Sequence, residues 1–148
     1  MTNCNPCSTP MECQLKLTRK ADGELTVKPY REFIGCLTYV ACTSRPDLSA
    51  AVNYFSQFQS YATEVHWKAA KRMLRYIRGA IDLKLEYRYE QNAIVLTGYA
   101  DADWAGDIND RKSVSGNVIK VFGATVTWTT RKQTCVSLSS TEAEYVSL

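Results

Sequence analysis

The chain has few of the side chains on which hydrolytic enzymes most often depend. It contains one histidine, His66, among 148 residues. A Ser-His-Asp or Cys-His mechanism would have to use this residue as its base. Its position beside Trp67, at the start of a helical pattern, favours a packed or capping role instead. No apolar run is long enough to cross a bilayer, and no signal sequence opens the chain. These absences predict an intracellular protein that does not interact with membranes.

The cysteines do not form a recognisable framework, although there are six of them. Cys4-x-x-Cys7 resembles half of a zinc site, but no second pair follows at a suitable spacing. Without a secretory signal, scattered free thiols are the expected state. The sequence therefore predicts neither a disulfide scaffold nor a structural zinc ion.

The charge of the chain is unevenly distributed. Residues 1–90 carry 13 Lys and Arg against 9 Asp and Glu, whereas residues 91–148 carry 5 against 6. This asymmetry is consistent with a protein whose basic half binds a polyanion and whose acidic half acts on it.

The N-terminal half reads as helical after an irregular lead-in over residues 1–28. Pro29 suits a first helical position, and apolar residues follow at helical spacing: Phe33, Ile34, Leu37, Val40 and Ala41. After a break at residues 44–47, a second helix is predicted from Leu48, Ala51, Val52, Phe55 and Phe58.

The third predicted helix begins at a Thr63 cap and ends at Gly79. At about 100° per residue, its apolar and basic side chains fall on opposite faces. The basic face holds Lys68, Lys71, Arg72, Arg75 and Arg78. One interpretation is an ordinary solvated face, and the other is a stripe that binds nucleic-acid phosphates.

From residue 80 onward the pattern becomes extended. Predicted strands cover the alternating residues Leu83, Leu85, Tyr87 and Tyr89, then Ile94–Ala100, and then a hairpin of residues 114–122 and 125–130 around Gly123-Ala124. Ser139 and Glu142 fit a capping box at the start of a last helix. The expected class is α+β, with a helical segment over residues 29–79 and an antiparallel three-strand meander leading into a helix over 80–148.

Two short acidic segments are the strongest candidates for chemistry. One is Gly98-Tyr-Ala-Asp-Ala-Asp-Trp-Ala-Gly-Asp107, and the other is Ser137-Leu-Ser-Ser-Thr-Glu-Ala-Glu-Tyr145. Carboxylates at a strand end and in a first helical turn can build a magnesium site. Asp101 and Glu144 are the candidate ligands. The extra acids have local roles available, turn formation for Asp103 and Asp107 and helix capping for Glu142.

An acid on the first strand of a meander, followed by an acid on a helix, resembles the opening of the ribonuclease H architecture. Longer motifs resemble the ribonuclease H region of copia-type long-terminal-repeat retrotransposon polyproteins: Tyr99–Asp107, Asp110-Arg-Lys-Ser-Val-Ser-Gly116 and Ser139-Ser-Thr-Glu-Ala-Glu-Tyr145. Other motifs resemble the segment after the polymerase palm in those polyproteins: Ser8–Met11, Tyr30-Arg-Glu-Phe-Ile-Gly-Cys-Leu-Thr-Tyr39, Thr43–Asp47 and His66–Gly79. The resemblance makes residues 29–79 a thumb-like or connection-like segment and residues 80–148 a C-terminally truncated ribonuclease H-like domain.

The resemblance implies hydrolysis of the RNA strand of an RNA–DNA hybrid by two Mg²⁺ ions. In that scheme Asp101 bridges the ions and Glu144 reaches one of them from the helix. It also implies the remainder of the Pol polyprotein as a partner, and a cytoplasmic virus-like particle or the nucleus as the location. No separate cofactor-binding residues are expected.

Departures from the family pattern limit the expected activity. Family enzymes supply further acids after the first helix, and this chain ends at Leu148 without them. We therefore expect weak or absent magnesium binding and little or no nuclease activity in isolation. The alternatives are a catalytically dead nucleic-acid-binding remnant and a host-adopted interaction module. An incomplete sheet also predicts self-association through an open edge.

Overall fold

The computed structural model describes residues 4–19, 23–87 and 95–148. The chain divides into two units, one comprising Met1–Thr43 and Asp47–Leu83 and the other Ser44–Pro46 and Lys84–Leu148. No helix in these described ranges has the length and apolar character needed to span a membrane.

The first unit is built from helices. They are α1 (Tyr30–Thr43), α2 (Ser49–Ser56), α3 (Glu64–Ala70) and α4 (Arg72–Gly79), with a 3-10 turn at Pro46–Leu48 before α2. α1 buries Ile34, Leu37 and Ala41, the positions at which the sequence repeats apolar residues at helical spacing. The predicted N-terminal helices are therefore confirmed. The described residues before α1 contain one isolated bridge, between Leu25 and Thr63.

The core of the first unit is aromatic and aliphatic. Phe55, Phe58, Ile34 and Met73 are fully buried. Tyr30 is also buried, and its hydroxyl donates a hydrogen bond to the Phe55 carbonyl oxygen at 2.9 Å. Burial raises the pKa of Tyr30, and the nearby Tyr54 adds to the rise. The tyrosine is thus a neutral core residue whose one polar atom is paired.

His66 is a packed residue, as the sequence predicts. Its side chain is fully buried, and its ring centroid lies 4.6 Å from that of Phe58. Its Nδ1 atom lies 3.2 Å from the Thr63 backbone nitrogen and 2.9 Å from the Thr63 hydroxyl oxygen. The imidazole therefore joins the residue before α3 to the first turn of that helix.

The third predicted helix is interrupted, which corrects the sequence interpretation. Between α3 and α4, the Leu74 backbone nitrogen donates to the Lys71 carbonyl oxygen at 3.2 Å. This i to i+3 bond tightens the chain locally in place of the α-helical i to i+4 pattern. The basic residues therefore lie on two successive short helices.

The second unit is a three-stranded antiparallel sheet followed by a helix, which confirms the α+β class. Its elements are β1 (Leu96–Asp103), β2 (Val114–Val121), β3 (Ala124–Lys132) and α5 (Ser140–Ser147). The strand order is β1-β2-β3, so β2 is the central strand of the three described strands. α5 packs on β1 and β2.

Two strand predictions need correction. Residues 83–87 form no strand, and residues 88–94 lie outside the described part of the chain. The Tyr87 hydroxyl donates a hydrogen bond to the Thr125 carbonyl oxygen at 3.0 Å. β1 extends to Asp103, so Asp101 lies within the strand and not at its end. The hairpin turns at Phe122 and Gly123, whose φ angles are 47° and 79°.

The second unit buries little apolar surface. Ala143 is the only apolar side chain that is buried among its described residues, and its other buried side chains are polar or charged. Large apolar side chains remain exposed, including Tyr99, Trp104 and Tyr145. Packing is therefore concentrated in the helical unit.

Candidate carboxylate site and basic surface

Asp101 is positioned by the ladder between β1 and β2. Its partner across the ladder is Gly116, and its side chain is exposed. The flanking β2 residues Ser115 and Asn117 pair with Ala102 and Ala100. Because side chains alternate along a strand, Asp101 lies on the face opposite that of Ser115 and Asn117.

α5 covers the face that carries Ser115 and Asn117. Gln133, which follows β3, donates from Nε2 to the Ser115 hydroxyl and to the Ala143 carbonyl oxygen, both at 2.8 Å. The Asn117 amide donates to the Ser147 carbonyl oxygen at 3.4 Å. These bonds fix α5 against the sheet at both ends of the helix.

Glu144 is carried by a helix that begins as the sequence predicts. Ser139 is the N-cap, and its hydroxyl accepts from the Glu142 backbone nitrogen at 3.1 Å. The Glu142 carboxylate accepts from the Leu138 backbone nitrogen at 2.6 Å. The Glu142 carboxylate thus binds the residue before the N-cap and not the Ser139 nitrogen that a capping box would use, and Glu144 is exposed in the same helix.

The start of α5 is tied to the end of β1. The Trp104 indole nitrogen donates to the Ser137 carbonyl oxygen at 3.1 Å. Trp104 directly follows β1, and Ser137 lies two residues before the N-cap of α5. The elements that carry Asp101 and Glu144 thus meet near the end of β1, and the Asp101 side chain lies on the face of the sheet opposite to α5.

These two acids do not form a complete metal centre by themselves. Across residues 4–19, 23–87 and 95–148, no group of at least three His, Cys, Asp or Glu side chains could hold a metal ion. Two-metal hydrolysis needs several carboxylates to balance the charge of the ions. The described residues do not fit that requirement alone, so no catalytic step is assigned to this chain in isolation.

Asp107 has a structural role. It is almost fully buried, and its carboxylate pairs with Lys132, which also lies 2.8 Å from Asp110. It accepts from the Asn109 backbone nitrogen at 2.7 Å, which forms the turn predicted for it. Burial would raise the pKa of Asp107, but the hydrogen bonds from Lys132 and Asn109 outweigh it and lower that pKa.

Asp103 lies beside the turn after β1. Its carboxylate packs against the Cα of Gly106 so closely that a side chain at that position would overlap it. A larger residue at Gly106 would therefore require the Asp103 carboxylate, the mobile end of its side chain, to move aside.

The basic stripe is partly occupied by the N-terminal segment. Arg78 Nη1 donates to the Cys4 carbonyl oxygen at 2.8 Å, and Arg75 Nε donates to the Asn5 carbonyl oxygen at 2.7 Å. Arg72 Nε donates to the Thr9 carbonyl oxygen at 3.1 Å. Three of the five predicted phosphate-binding residues therefore hold residues 4–9 along α4.

Lys68 and Lys71 are the remaining members of the stripe. Within the described part of the chain, neither ammonium group forms a hydrogen bond or a close ion pair, although both lower the pKa of Glu64 through their charge. They line a shallow concavity of about 350 Å³, together with Glu12, Ala69, Arg72 and Arg75. The concavity brings four cationic side chains and one carboxylate into contact with solvent.

No pattern in the sequence indicates the arginine contacts. Their acceptors are mostly backbone carbonyl groups, which every residue has. Among the side-chain acceptors, Glu12 is the charged one, and its Oε1 lies 3.4 Å from Arg72 Nη1. A single acid 60 residues away in the sequence does not identify its partner.

Comparison with known proteins places the chain in a family. It is 42% identical to the retrovirus-related Pol polyprotein from transposon RE2 of Arabidopsis thaliana, over 100% of this chain and 10% of that protein. It is 39% identical to the Pol polyprotein from transposon TNT 1-94 of Nicotiana tabacum, over 99% of this chain and 11% of that protein. The chain therefore spans about a tenth of these polyproteins.

A shorter relative matches over most of its length. Secreted RxLR effector protein 161 of Plasmopara viticola is 46% identical, over 81% of this chain and 84% of that protein. No protein-family model and no solved structure matches the chain.

The protein is of the α+β class, with helices followed by an antiparallel meander and a capped helix. Its relatives show the family to which it belongs. The chain belongs to the family of sequences homologous to copia-type retrotransposon Pol polyproteins.

Proposed function

We propose that the chain corresponds to the reverse transcriptase–ribonuclease H region of a copia-type Pol polyprotein. The observation that carries the proposal is the order of the acidic elements. Asp101 lies on the first strand of an antiparallel meander, and Glu144 lies on the helix that packs against that strand. The homology to Pol polyproteins covers the whole of this chain and supports the same assignment.

In this proposal Asp101 and Glu144 are two ligands of a Mg²⁺ centre. β1 is an edge strand among the described residues, and α5, which carries Glu144, packs on it. Further acids from elsewhere in the Pol polyprotein complete the ligand set. Magnesium prefers such oxygen ligands, and a bound pair of ions supplies phosphodiester hydrolysis.

The proposed substrate is the RNA strand of an RNA–DNA hybrid. The helical unit contributes cationic contacts to phosphates through Lys68 and Lys71, with Arg72, Arg75 and Arg78 beside them. Choice of the RNA strand depends on contacts to its 2′-hydroxyl groups. By family resemblance, the work is done in a cytoplasmic virus-like particle or the nucleus.

A cleavage assay tests the catalytic part of the proposal. We expect no cleavage of a labelled RNA–DNA hybrid by this chain alone with Mg²⁺. A longer Pol polypeptide that contains this region should cleave the hybrid, and Asp101→Asn or Glu144→Gln should abolish cleavage. Asp82→Asn is the charge-matched control because Asp82 is exposed in the helical unit. Full activity of both active-site variants would contradict the proposal.

A second candidate is a non-catalytic interaction module. It is favoured by the effector relative, because the chain covers 84% of a protein that is not named as a Pol polyprotein. Calorimetric titration of the longer Pol polypeptide with Mg²⁺ separates the candidates. Binding that Asp101→Asn removes supports the enzyme class, and its absence supports the module.

A further inference from the structure

Residues 4–12 form an N-terminal strap along the basic side of α4. The strap is held by the three arginine-to-carbonyl bonds and by the Cys7 backbone nitrogen, which donates to the Arg75 carbonyl oxygen at 3.4 Å. Pro6 approaches Gly79 so closely that a Cβ at Gly79 would lie 3.0 Å from the Pro6 Cβ. The strap is thus in direct contact with α4 from Arg72 to Gly79.

Glu12 ends the strap inside the basic concavity. Its carboxylate faces the guanidinium of Arg72, and Lys68, Lys71 and Arg75 line the same space. The Glu12 side chain is 65% exposed and the Arg72 side chain 24% exposed. An exposed ion pair of this kind is weak, because water screens the charges and the side chains must be ordered.

We propose that the concavity is a phosphate-binding site in which Glu12 occupies the place of the ligand. A phosphate group carries the same sign of charge as the Glu12 carboxylate and offers more acceptor oxygens. Lys68 and Lys71, whose ammonium groups form no hydrogen bond or close ion pair within the described ranges, supply donors at the rim. Arg72 Nη1 exchanges the Glu12 carboxylate for the phosphate when the end of the strap is displaced.

Because Arg72 is also bound to Thr9, the strap weakens phosphate binding without preventing it. Arg72 Nε and Nη2 remain bound to Thr9, at 3.1 Å to its carbonyl oxygen and 3.0 Å to its hydroxyl, while Nη1 alone faces Glu12. Only Nη1 must change partner when a phosphate binds. Glu12 therefore lowers phosphate affinity without blocking the site, and the remainder of the strap keeps the guanidinium oriented.

This inference deepens the proposed function, because a nucleic-acid backbone is one source of the phosphate. Two probes separate the sources: a fluorescein-labelled RNA–DNA hybrid and inorganic pyrophosphate. The full chain is titrated with each probe, as wild type and as Glu12→Gln. Glu24→Gln is the control, because it removes the same charge from an exposed position in the same unit.

We expect Glu12→Gln to bind a probe about three- to tenfold more tightly than Glu24→Gln does. Adding Lys71→Ala to Glu12→Gln should remove that gain. An equal effect of the two glutamine variants on both probes would overturn the inference. If wild type and both glutamine variants fail to bind the hybrid, the nucleic-acid proposal fails. The pyrophosphate titration then still decides whether the concavity binds phosphate.

Discussion

Arg78 Nη1 donates a hydrogen bond to the Cys4 carbonyl oxygen at 2.8 Å, although the two residues are 74 positions apart in the sequence. A side chain that sequence periodicity places on a solvated or nucleic-acid-binding stripe is therefore used to anchor the start of the described chain. Several side chains of the basic stripe therefore already donate hydrogen bonds to other parts of the chain when no ligand is bound.

Loss of the arginine anchors should release the strap. In an Arg75→Ala, Arg78→Ala variant, we expect the Cys7 amide to exchange with solvent at least tenfold faster, because its acceptor helix no longer holds the flanking segment. Hydrogen exchange followed by mass spectrometry measures this. Arg31→Ala is the control, since Arg31 is exposed on α1. Unchanged exchange in the double variant would show that the strap is held by other contacts.

Removal of the Tyr30 hydroxyl should cost about 1 kcal/mol of stability. The loss of stability is modest because the Phe55 carbonyl oxygen keeps a second donor, the Phe58 backbone nitrogen at 3.2 Å. Urea unfolding of Tyr30→Phe gives the value, with Tyr39→Phe as control because Tyr39 is 72% exposed. Equal stability of the two variants would exclude a contribution from the buried hydrogen bond.

His66 should make the helical unit less stable in mild acid. Burial lowers the pKa of His66 from its ordinary 6.5, although the Thr18 backbone opposes the shift. The unfolded chain therefore binds a proton first as pH falls below about 6.5, and the free energy of unfolding decreases. It continues to decrease until the folded-state pKa is reached.

Urea unfolding at pH 7.5 and pH 5.5 measures the effect. We expect wild type to lose stability between these values and His66→Gln to lose less, because the glutamine does not titrate. The same loss in both proteins would assign the pH dependence to other groups.

The sheet unit should associate at high concentration. β1 pairs with β2 alone among the described strands, and Leu96 is 65% exposed on β1. Lysine on an edge strand opposes pairing with another chain. Sedimentation velocity should show association that Leu96→Lys reduces and Val65→Lys on α3 does not. A wild-type monomer at all concentrations would contradict this prediction.

Local signals predicted much of this fold. The Ser139 and Glu142 cap of α5 depends on residues three apart, and the α1 core face depends on a simple period. The break at Lys71 has no such signal, because neither proline nor glycine occurs there. Asp101 was assigned to a strand end since the local pattern cannot show that its ladder with β2 continues to Asp103.

The candidate site could also be predicted only in part from local sequence patterns. Sequence motifs indicated Asp101, Glu144 and the basic stripe, and the fold brings β1 and α5 together. The faces on which the two acids lie follow from register and packing, which depend on residues distant in the sequence. The arginines bind backbone carbonyl oxygens of the strap, and such acceptors leave no pattern in the sequence.

The central claim is that Asp101 and Glu144 contribute to one cation site. Mn²⁺, a paramagnetic substitute for Mg²⁺, can be titrated into the isotope-labelled chain while the backbone amide resonances are followed by NMR. The account predicts that resonances around Asp101 and Glu144 broaden together, even if binding is weak, and that Asp101→Asn removes the broadening at both places. Broadening around one acid alone, or retention around Glu144 in the Asp101→Asn variant, would contradict a shared site.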